Sequence, residues 1–261
     1  MLNFGDGKVA IVTGIGPGMG RSIALGFANN AVDVVIAARR KERLDAVADD
    51  VRALGREPLV VQTDITDRDA CQKLVSAAVE RFGGVDYLVQ NGHHEGDWTL
   101  AVDADPDSWR QSFEVNFFGA LHVAQAVVPE MRKRGGGSIV MVNSGAAIRP
   151  PMRMGAYSSS KAALANLTRT LALEVGQWQI RVNGVFLGAT QGETLTAAAD
   201  KASVASGLTP EQWLDQKSSE YALGYVPTTE QCAGAVLFFC SDLASPITGQ
   251  HLSVNGGQWV T

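Results

Sequence analysis

The stretch VAIVTGIGPGMG, residues 9–20, decides the fold of this chain. Its first half, Val9–Val12, is apolar and predicts a buried strand, and a helical pattern with Ile23, Leu25 and Phe27 follows the glycines. Glycines at such a turn let the backbone bend sharply and let a phosphate group approach the free N–H groups of a helix N-terminus. One glycine would suffice for a plain turn, so four glycines in seven positions favour a dinucleotide site.

The glycine spacing is Gly-x-x-x-Gly-x-Gly, made by Gly14, Gly18 and Gly20. Met19 stands where the common Gly-x-Gly-x-x-Gly pattern has its third glycine. We expect these four residues to lie against the cofactor.

Short apolar runs alternate with longer helical patterns along the rest of the chain, which is typical of a parallel sheet covered on both faces. The predicted strands after the first are Val32–Ala37, Leu59–Val61, Tyr87–Val89, Ile139–Val142, Ile180–Phe186 and His251–Val254. The predicted helices after the first are Arg40–Leu54, Thr66–Phe82, Asp107–Arg134, Tyr157–Val175 and Thr229–Cys240. This pattern predicts an α/β chain: a single-domain, doubly wound Rossmann fold with a parallel sheet of about seven strands and helices on both faces.

One stretch breaks the alternation. Residues 190–227 are polar and rich in alanine, and they separate two strand–helix units. We interpret residues 1–261 as one dinucleotide-binding domain in which residues 190–227 form a substrate lid.

Composition excludes several classes of protein. The chain has 261 residues and a net charge of -5, which argues against a nucleic-acid partner because such partners need a basic face. The three cysteines, Cys71, Cys232 and Cys240, show no Cys-x-x-Cys spacing and favour a reducing compartment. No apolar run approaches the roughly 18 residues of a membrane span. We therefore expect a cytoplasmic protein with no membrane partner.

Three residues suggest acid–base chemistry. Tyr157 and Lys161 are four positions apart on a predicted helix, so both side chains face the same way, and Ser144 follows a predicted strand. A nearby ammonium stabilises a phenolate and is expected to lower the pKa of Tyr157. Tyr157 can then exchange a proton with a substrate hydroxyl that Ser144 holds.

These motifs, in this order, resemble the short-chain dehydrogenase/reductase family over essentially the whole chain. The matching positions are the glycine turn, Asp64 and Ile65 after strand three, Asn91, Asn116, Ser144, Tyr157 and Lys161. The resemblance implies hydride transfer between a nicotinamide dinucleotide and a small carbonyl or alcohol substrate. It also implies that Lys161 binds the nicotinamide ribose and that Asn116 holds a water next to Lys161. Asp64, Ile65 and Asn91 are then cofactor-binding residues, and the protein is expected to be a homo-oligomer, a tetramer by resemblance.

Two loops depart from the family pattern. Gln90-Asn91-Gly92-His93 replaces Asn-Asn-Ala-Gly, which puts His93 at a glycine position. After strand six, Gly192 stands where the family has a threonine that contacts the cofactor, and Thr190 is the candidate to supply that hydroxyl. Asn255 replaces the aspartate of an Asp-Gly-Gly motif, a change that we expect to be mild.

The second strand is expected to carry the residue that selects the cofactor. NAD sites place an acidic residue at its end, whereas here Arg39 and Arg40 follow it and Asp33 lies at its start. Arg39 can pair with the 2′-phosphate of NADP(H), which favours NADP(H) over NAD(H). The alternative is that both arginines only begin a solvated helix, which leaves NAD(H) open.

His93-His94-Glu95 suggests a metal site at first sight, but adjacent histidines in a loop diverge and no third ligand follows at metal spacing. We expect no metal and expect His94 or Glu95 to border the substrate pocket. Two functions stand: an NADP(H)-linked carbonyl reductase or alcohol dehydrogenase, and a catalytically inactive nucleotide-binding regulator or scaffold with the same fold.

Overall fold

The computed structural model describes residues 2–260, without the side chains of residues 193, 194 and 205. The two ends of the expected domain, residues 1 and 261, therefore lie outside the described residues. Each predicted apolar run forms a strand: β1 (Val9–Thr13), β2 (Asp33–Ala38), β3 (Leu59–Gln62), β4 (Tyr87–Gln90), β5 (Gly137–Ser144), β6 (Ile180–Leu187) and β7 (His251–Val254). They form a seven-stranded sheet in the order β3-β2-β1-β4-β5-β6-β7, and all its pairings are parallel. The predicted doubly wound Rossmann fold is confirmed.

The helices between the strands are α1 (Met19–Asn29), α2 (Lys41–Ala53), α3 (Arg68–Phe82), α4 (Pro106–Phe113), α5 (Gly119–Lys133), α6 (Gly155–Val175), α7 (Glu193–Ser206), α8 (Pro210–Ser218) and α9 (Thr229–Cys240). Asp67 is the N-cap of α3, and its side chain accepts from the backbone N–H groups of Asp69 and Ala70. The hydroxyl of the preceding residue, Thr66, donates to Asp64.

Two apolar clusters cover the two faces of the sheet. One cluster packs α3, α5 and α6 against the strands, with Leu74, Val123 and Leu164 fully or almost fully buried. The other packs α1, α2 and α9, with Ile23, Leu44 and Val236 fully buried. Because strand residues alternate between these clusters and both are apolar, each central strand is a continuous apolar run.

The predicted single helix Asp107–Arg134 is interrupted near its middle in the structure. A π-helical turn, Glu114–Phe118, joins α4 to α5, and the N–H of Gly119 donates to the carbonyl of Glu114. Pro129 lies inside α5. The turn places Asn116 in the interior, 1% exposed. Wide turns of this kind occur frequently at functional sites.

Residues 190–227 contain two helices, α7 and α8, which the sequence pattern did not predict. A small apolar cluster of Leu195, Tyr221 and Val226 holds them together. None of the helices in residues 2–260 is long and apolar enough to cross a membrane.

Candidate active site

The strand order reverses between β1 and β4, and a crevice for ligands is expected at the carboxyl ends of strands on either side of such a reversal. The residues predicted from sequence gather at this edge. Ser144 is the last residue of β5, and Tyr157 lies in the first turn of α6. The Nζ of Lys161, one turn further, lies 5.8 Å from the centroid of the Tyr157 ring.

The acid–base properties of this group differ from the sequence-based expectation. Burial raises the pKa of Tyr157 to about 12, while the nearby Ser144 hydroxyl lowers that pKa and the charge of Glu95 raises it. Burial also lowers the pKa of Lys161 to about 7. The predicted lowering of the Tyr157 pKa is not observed, because removal from water disfavours the phenolate and the ammonium alike.

Lys161 is buried, with only 2% of the residue exposed, and two hydrogen bonds hold it in place. Its Nζ donates to the carbonyl oxygen of Val142 at 3.0 Å, and the Nδ2 of Asn143 donates to the carbonyl of Lys161, also at 3.0 Å. The two bonds fix α6 against the end of β5, which sets the position of Tyr157 relative to Ser144.

Asn116 links three elements of the site. Its Oδ1 accepts from the backbone N–H of His94, and its Nδ2 donates to the His94 carbonyl and to the Ser160 hydroxyl, at 2.8, 2.8 and 2.9 Å. Both N–H groups of the amide are therefore used within the protein. Asn116 clamps the loop after β4 onto α6, and the expected water beside Lys161 stays a prediction.

The glycine-rich turn and the loop after β4 are in backbone contact. A Cβ on Gly14, which has φ +67°, would lie 2.4 Å from the backbone nitrogen of Gly92, and a Cβ on Gly20 would lie 2.7 Å from the Gly14 carbonyl oxygen. The Nδ2 of Asn91 donates to the same carbonyl at 2.8 Å. Asn91 therefore supports the glycine-rich turn. His93 stands at a family glycine position, but its φ is not positive, so this position does not require a glycine.

The residues present fit a dinucleotide. Gly18 is the N-cap of α1 and makes no side-chain cap, so the helix N-terminus that begins at Met19 presents its N–H groups to a ligand. A Cβ on Gly18 would meet only the Thr229 methyl, at 3.7 Å, so the space beside this helix N-terminus is otherwise open. Asp64 and the 8% exposed Ile65 follow β3 at the same edge of the sheet.

Arg39 follows β2 and is exposed. A second arginine, Arg43, was not predicted: its Nη1 would lie 3.3 Å from a Cβ on Gly16, beside the glycine turn. Neither side chain forms an ion pair among the described residues, whereas Asp33 is paired with Arg56 at 2.8 Å. The Arg-x-x-x-Arg spacing of residues 39 and 43, which spans the start of α2, is the sequence feature from which Arg43 could have been predicted.

Thr190 lies half-buried after β6, at the base of the expected lid. Gly192 has φ +152°, a backbone conformation that side chains rarely adopt, so a threonine at this position would be strained. Gly192 in place of a threonine thus changes the backbone conformations open to this position as well as removing a hydroxyl.

The loop 92–95 borders the site through His93. Burial lowers the pKa of His93, and the charge of Lys161 lowers it further while that of Glu95 raises it. Within residues 2–260 no three His, Cys, Asp or Glu side chains converge as a metal site would require.

Known proteins are similar to this chain in sequence. A family model described as short chain dehydrogenase matches residues 8–203. The 7alpha-hydroxysteroid dehydrogenase of Escherichia coli (strain K12) is 35% identical over 253 residues, which cover 97% of this chain and 94% of that protein.

Two solved structures have the same fold. L-sorbose reductase from Gluconobacter frateurii, complexed with NADPH and L-sorbose, superposes with a TM-score of 0.92 at 31% identity and 98% coverage of both chains. A xylitol dehydrogenase with NAD+ bound has a TM-score of 0.88 at 29% identity and covers 97% of this chain and 99% of its own. The glycine turn, the Ser144–Tyr157–Lys161 group and these likenesses agree, and the chain belongs to the short-chain dehydrogenase/reductase family.

Proposed function

We propose that this protein transfers a hydride between NADP(H) and a ketone or secondary alcohol, with Tyr157 as the general acid and base. The observation that carries the proposal is the meeting of Ser144, Tyr157 and Lys161 at the carboxyl end of β5. It is strengthened by relatives whose names are those of dehydrogenases and reductases.

The nicotinamide, when bound, supplies or accepts the hydride. Ser144 holds the substrate oxygen by a hydrogen bond, and Tyr157 gives that oxygen a proton during reduction or takes one during oxidation. A pKa of about 12 keeps Tyr157 protonated at neutral pH, which suits the reductive direction. Lys161, with a pKa of about 7, is poised to exchange protons with its surroundings and to bind the ribose hydroxyls.

The cofactor is held by Gly14, Gly18, Met19 and Gly20 at the phosphates in this proposal, with Asp64, Ile65, Asn91 and Thr190 as the further contacts. Arg39 binds the 2′-phosphate, and Arg43 is placed to assist because its guanidinium lies beside Gly16. Two cations without a carboxylate partner among the described residues favour a phosphate over a bare ribose hydroxyl. NAD(H) is the alternative cofactor, since the related structures include complexes with each.

The substrate is a small carbonyl or alcohol compound in this proposal, and residues 190–227 act as its lid. Helices α7 and α8 pack on their own small apolar cluster and not on the main core, an arrangement that suits a segment able to move as a unit. The helices α5 and α6 would form the contact surface of a homo-oligomer.

The test measures NADPH consumption with a panel of cyclic and acyclic ketones, together with NADPH binding by fluorescence. We expect turnover of at least one ketone, and tighter binding of NADPH than of NADH. Tight NADPH binding without turnover of any ketone or alcohol would favour the regulator or scaffold instead.

A further inference from the structure

The loop that follows β7 packs directly over the end of β5, the strand that ends at Ser144. A Cβ on Gly145, the residue after Ser144, would lie 2.1 Å from Cζ2 and 2.2 Å from Cη2 of Trp259. A Cβ on Gly188, the residue after β6, would lie 2.7 Å from the side-chain oxygen of Gln258. The loop therefore occupies the space that side chains would fill at both strand ends, and its indole lies against the residue next to Ser144.

Asn255 fixes the backbone of Trp259, which carries the indole. Its Nδ2 donates to the carbonyl oxygen of Trp259 at 2.9 Å, and its Oδ1 accepts from the N–H of Gly257 at 2.9 Å. Both ends of the amide are needed, because an aspartate could accept from Gly257 but could not donate to Trp259. The replacement of aspartate by asparagine at this position, which sequence reasoning took to be mild, thus supplies the donor that orders Trp259.

The same loop touches the lid. The N–H of Leu223 donates to the Gly256 carbonyl at 3.1 Å, and a Cβ on Gly257 would lie 2.5 Å from the Cβ of Ala222. Both glycines have positive φ, so the backbone can pass between the lid and the strand ends without side chains. Trp259 consequently stands where the lid meets the site.

We propose that Trp259 is a specificity-determining residue that forms a fixed wall beside Ser144 and limits the bulk of the substituents on the substrate carbonyl. Its Nε1 is buried and has no acceptor among the described residues, so the indole acts through its shape and not through a hydrogen bond. Gly145 provides the space for the ring, and Asn255 is a positioning residue that acts through Trp259. The inference rests on the proposed ketone reduction.

The experiment compares wild type with W259F, W259A and N255D, and with V260A as a control because Val260 is 89% exposed. Each variant is assayed with NADPH and either cyclohexanone or the bulkier two-ring ketone 1-decalone. W259A and N255D are expected to raise the ratio of kcat/KM for decalone over kcat/KM for cyclohexanone by about tenfold or more, mostly through KM. Changes of this size in discrimination are typical when the volume of an apolar pocket changes. W259F retains a ring, and V260A lies outside the wall, so both are expected to keep the wild-type ratio.

Two further measurements separate the possible failures. NADPH affinity is expected to be unchanged in all four variants. The Trp259 emission is obtained as wild type minus W259F, and in the N255D background as N255D minus N255D/W259F. Acrylamide is expected to quench this emission more strongly in the N255D background, where the ring is free. An active W259A with the wild-type ratio would overturn the wall, and unchanged quenching in N255D would overturn the role of Asn255. A wild-type enzyme that binds NADPH but reduces neither these nor any other ketone would overturn the proposed function itself, while the quenching result would still report on Asn255.

Discussion

Lys161 donates a hydrogen bond from its Nζ to the carbonyl oxygen of Val142, 3.0 Å away, at a depth where only 2% of the lysine is exposed. Burial lowers the pKa of this amine from 10.5 to about 7. The lysine therefore binds a proton more weakly in the folded protein than in the unfolded chain.

The first prediction concerns stability and pH. Because the folded pKa lies below the unfolded one, the unfolded chain holds more protons between these values, and the free energy of unfolding rises with pH there. Lys161 alone contributes at most about 1.4 kcal/mol per pH unit. Urea titrations of wild type and K161M from pH 7 to 9 are expected to show a smaller rise in K161M. Equal slopes would contradict a depressed pKa at Lys161.

The second prediction concerns the proton. Y157F removes the phenol hydroxyl and keeps the ring, so kcat is expected to fall by roughly 10²–10⁴-fold. NADPH affinity, measured by fluorescence, is expected to change little. The matched control is Y225F, because Tyr225 is 40% exposed and lies near the end of residues 190–227. Comparable turnover by Y157F and wild type would exclude Tyr157 as the acid.

The third prediction concerns cofactor choice. R39A and R43A each remove a charge-assisted hydrogen-bond donor for the 2′-phosphate, and each is expected to weaken NADPH binding by roughly 10- to 100-fold. NADH binding is expected to stay nearly constant, since NADH lacks this phosphate. K73A, at an exposed position in α3, controls for the loss of one positive charge. An equal loss of NADH and NADPH affinity would contradict the assignment.

The fourth prediction separates backbone strain from backbone contact. Gly14 and Gly55 have φ +67° and +76°, so alanine at either position is strained by about 1–2 kcal/mol. A Cβ on Gly14 would also meet the backbone of Gly92 at 2.4 Å, whereas a Cβ on Gly55 would meet nothing within 4 Å. G14A is therefore expected to lower Tm more than G55A and to abolish NADPH binding, which G55A keeps. Normal cofactor binding by G14A would show that the two loops can separate.

The sequence predicted the sheet well because its strands are buried on both faces and read as apolar runs. The prediction of α6 succeeded because Leu164, Leu167 and Leu171 keep helical spacing in front of a buried core. Helices α7 and α8 escaped prediction because they pack on a cluster of only a few residues. A helix with so little buried surface shows a weak apolar stripe.

Other features of the site depend on distant contacts. Gly145 and Trp259 lie far apart in the chain, and only the packing of the β7 loop brings them together. The pKa of Tyr157 could not be predicted from its spacing to Lys161, because burial of both groups outweighs the charge between them.

Because of the π-helical turn Glu114–Phe118, the number of residues between α4 and α5 sets the direction of Asn116. Such a turn contains one extra residue, and deleting any one of the five would let a regular helix form in which α4 and α5 keep nearly the same relative orientation. The residues inside the turn would change direction, and Asn116 is then expected to lose its hydrogen bonds to the His94 backbone. Substituting the five residues one at a time would not detect this constraint, because it lies in their number and not in any single side chain.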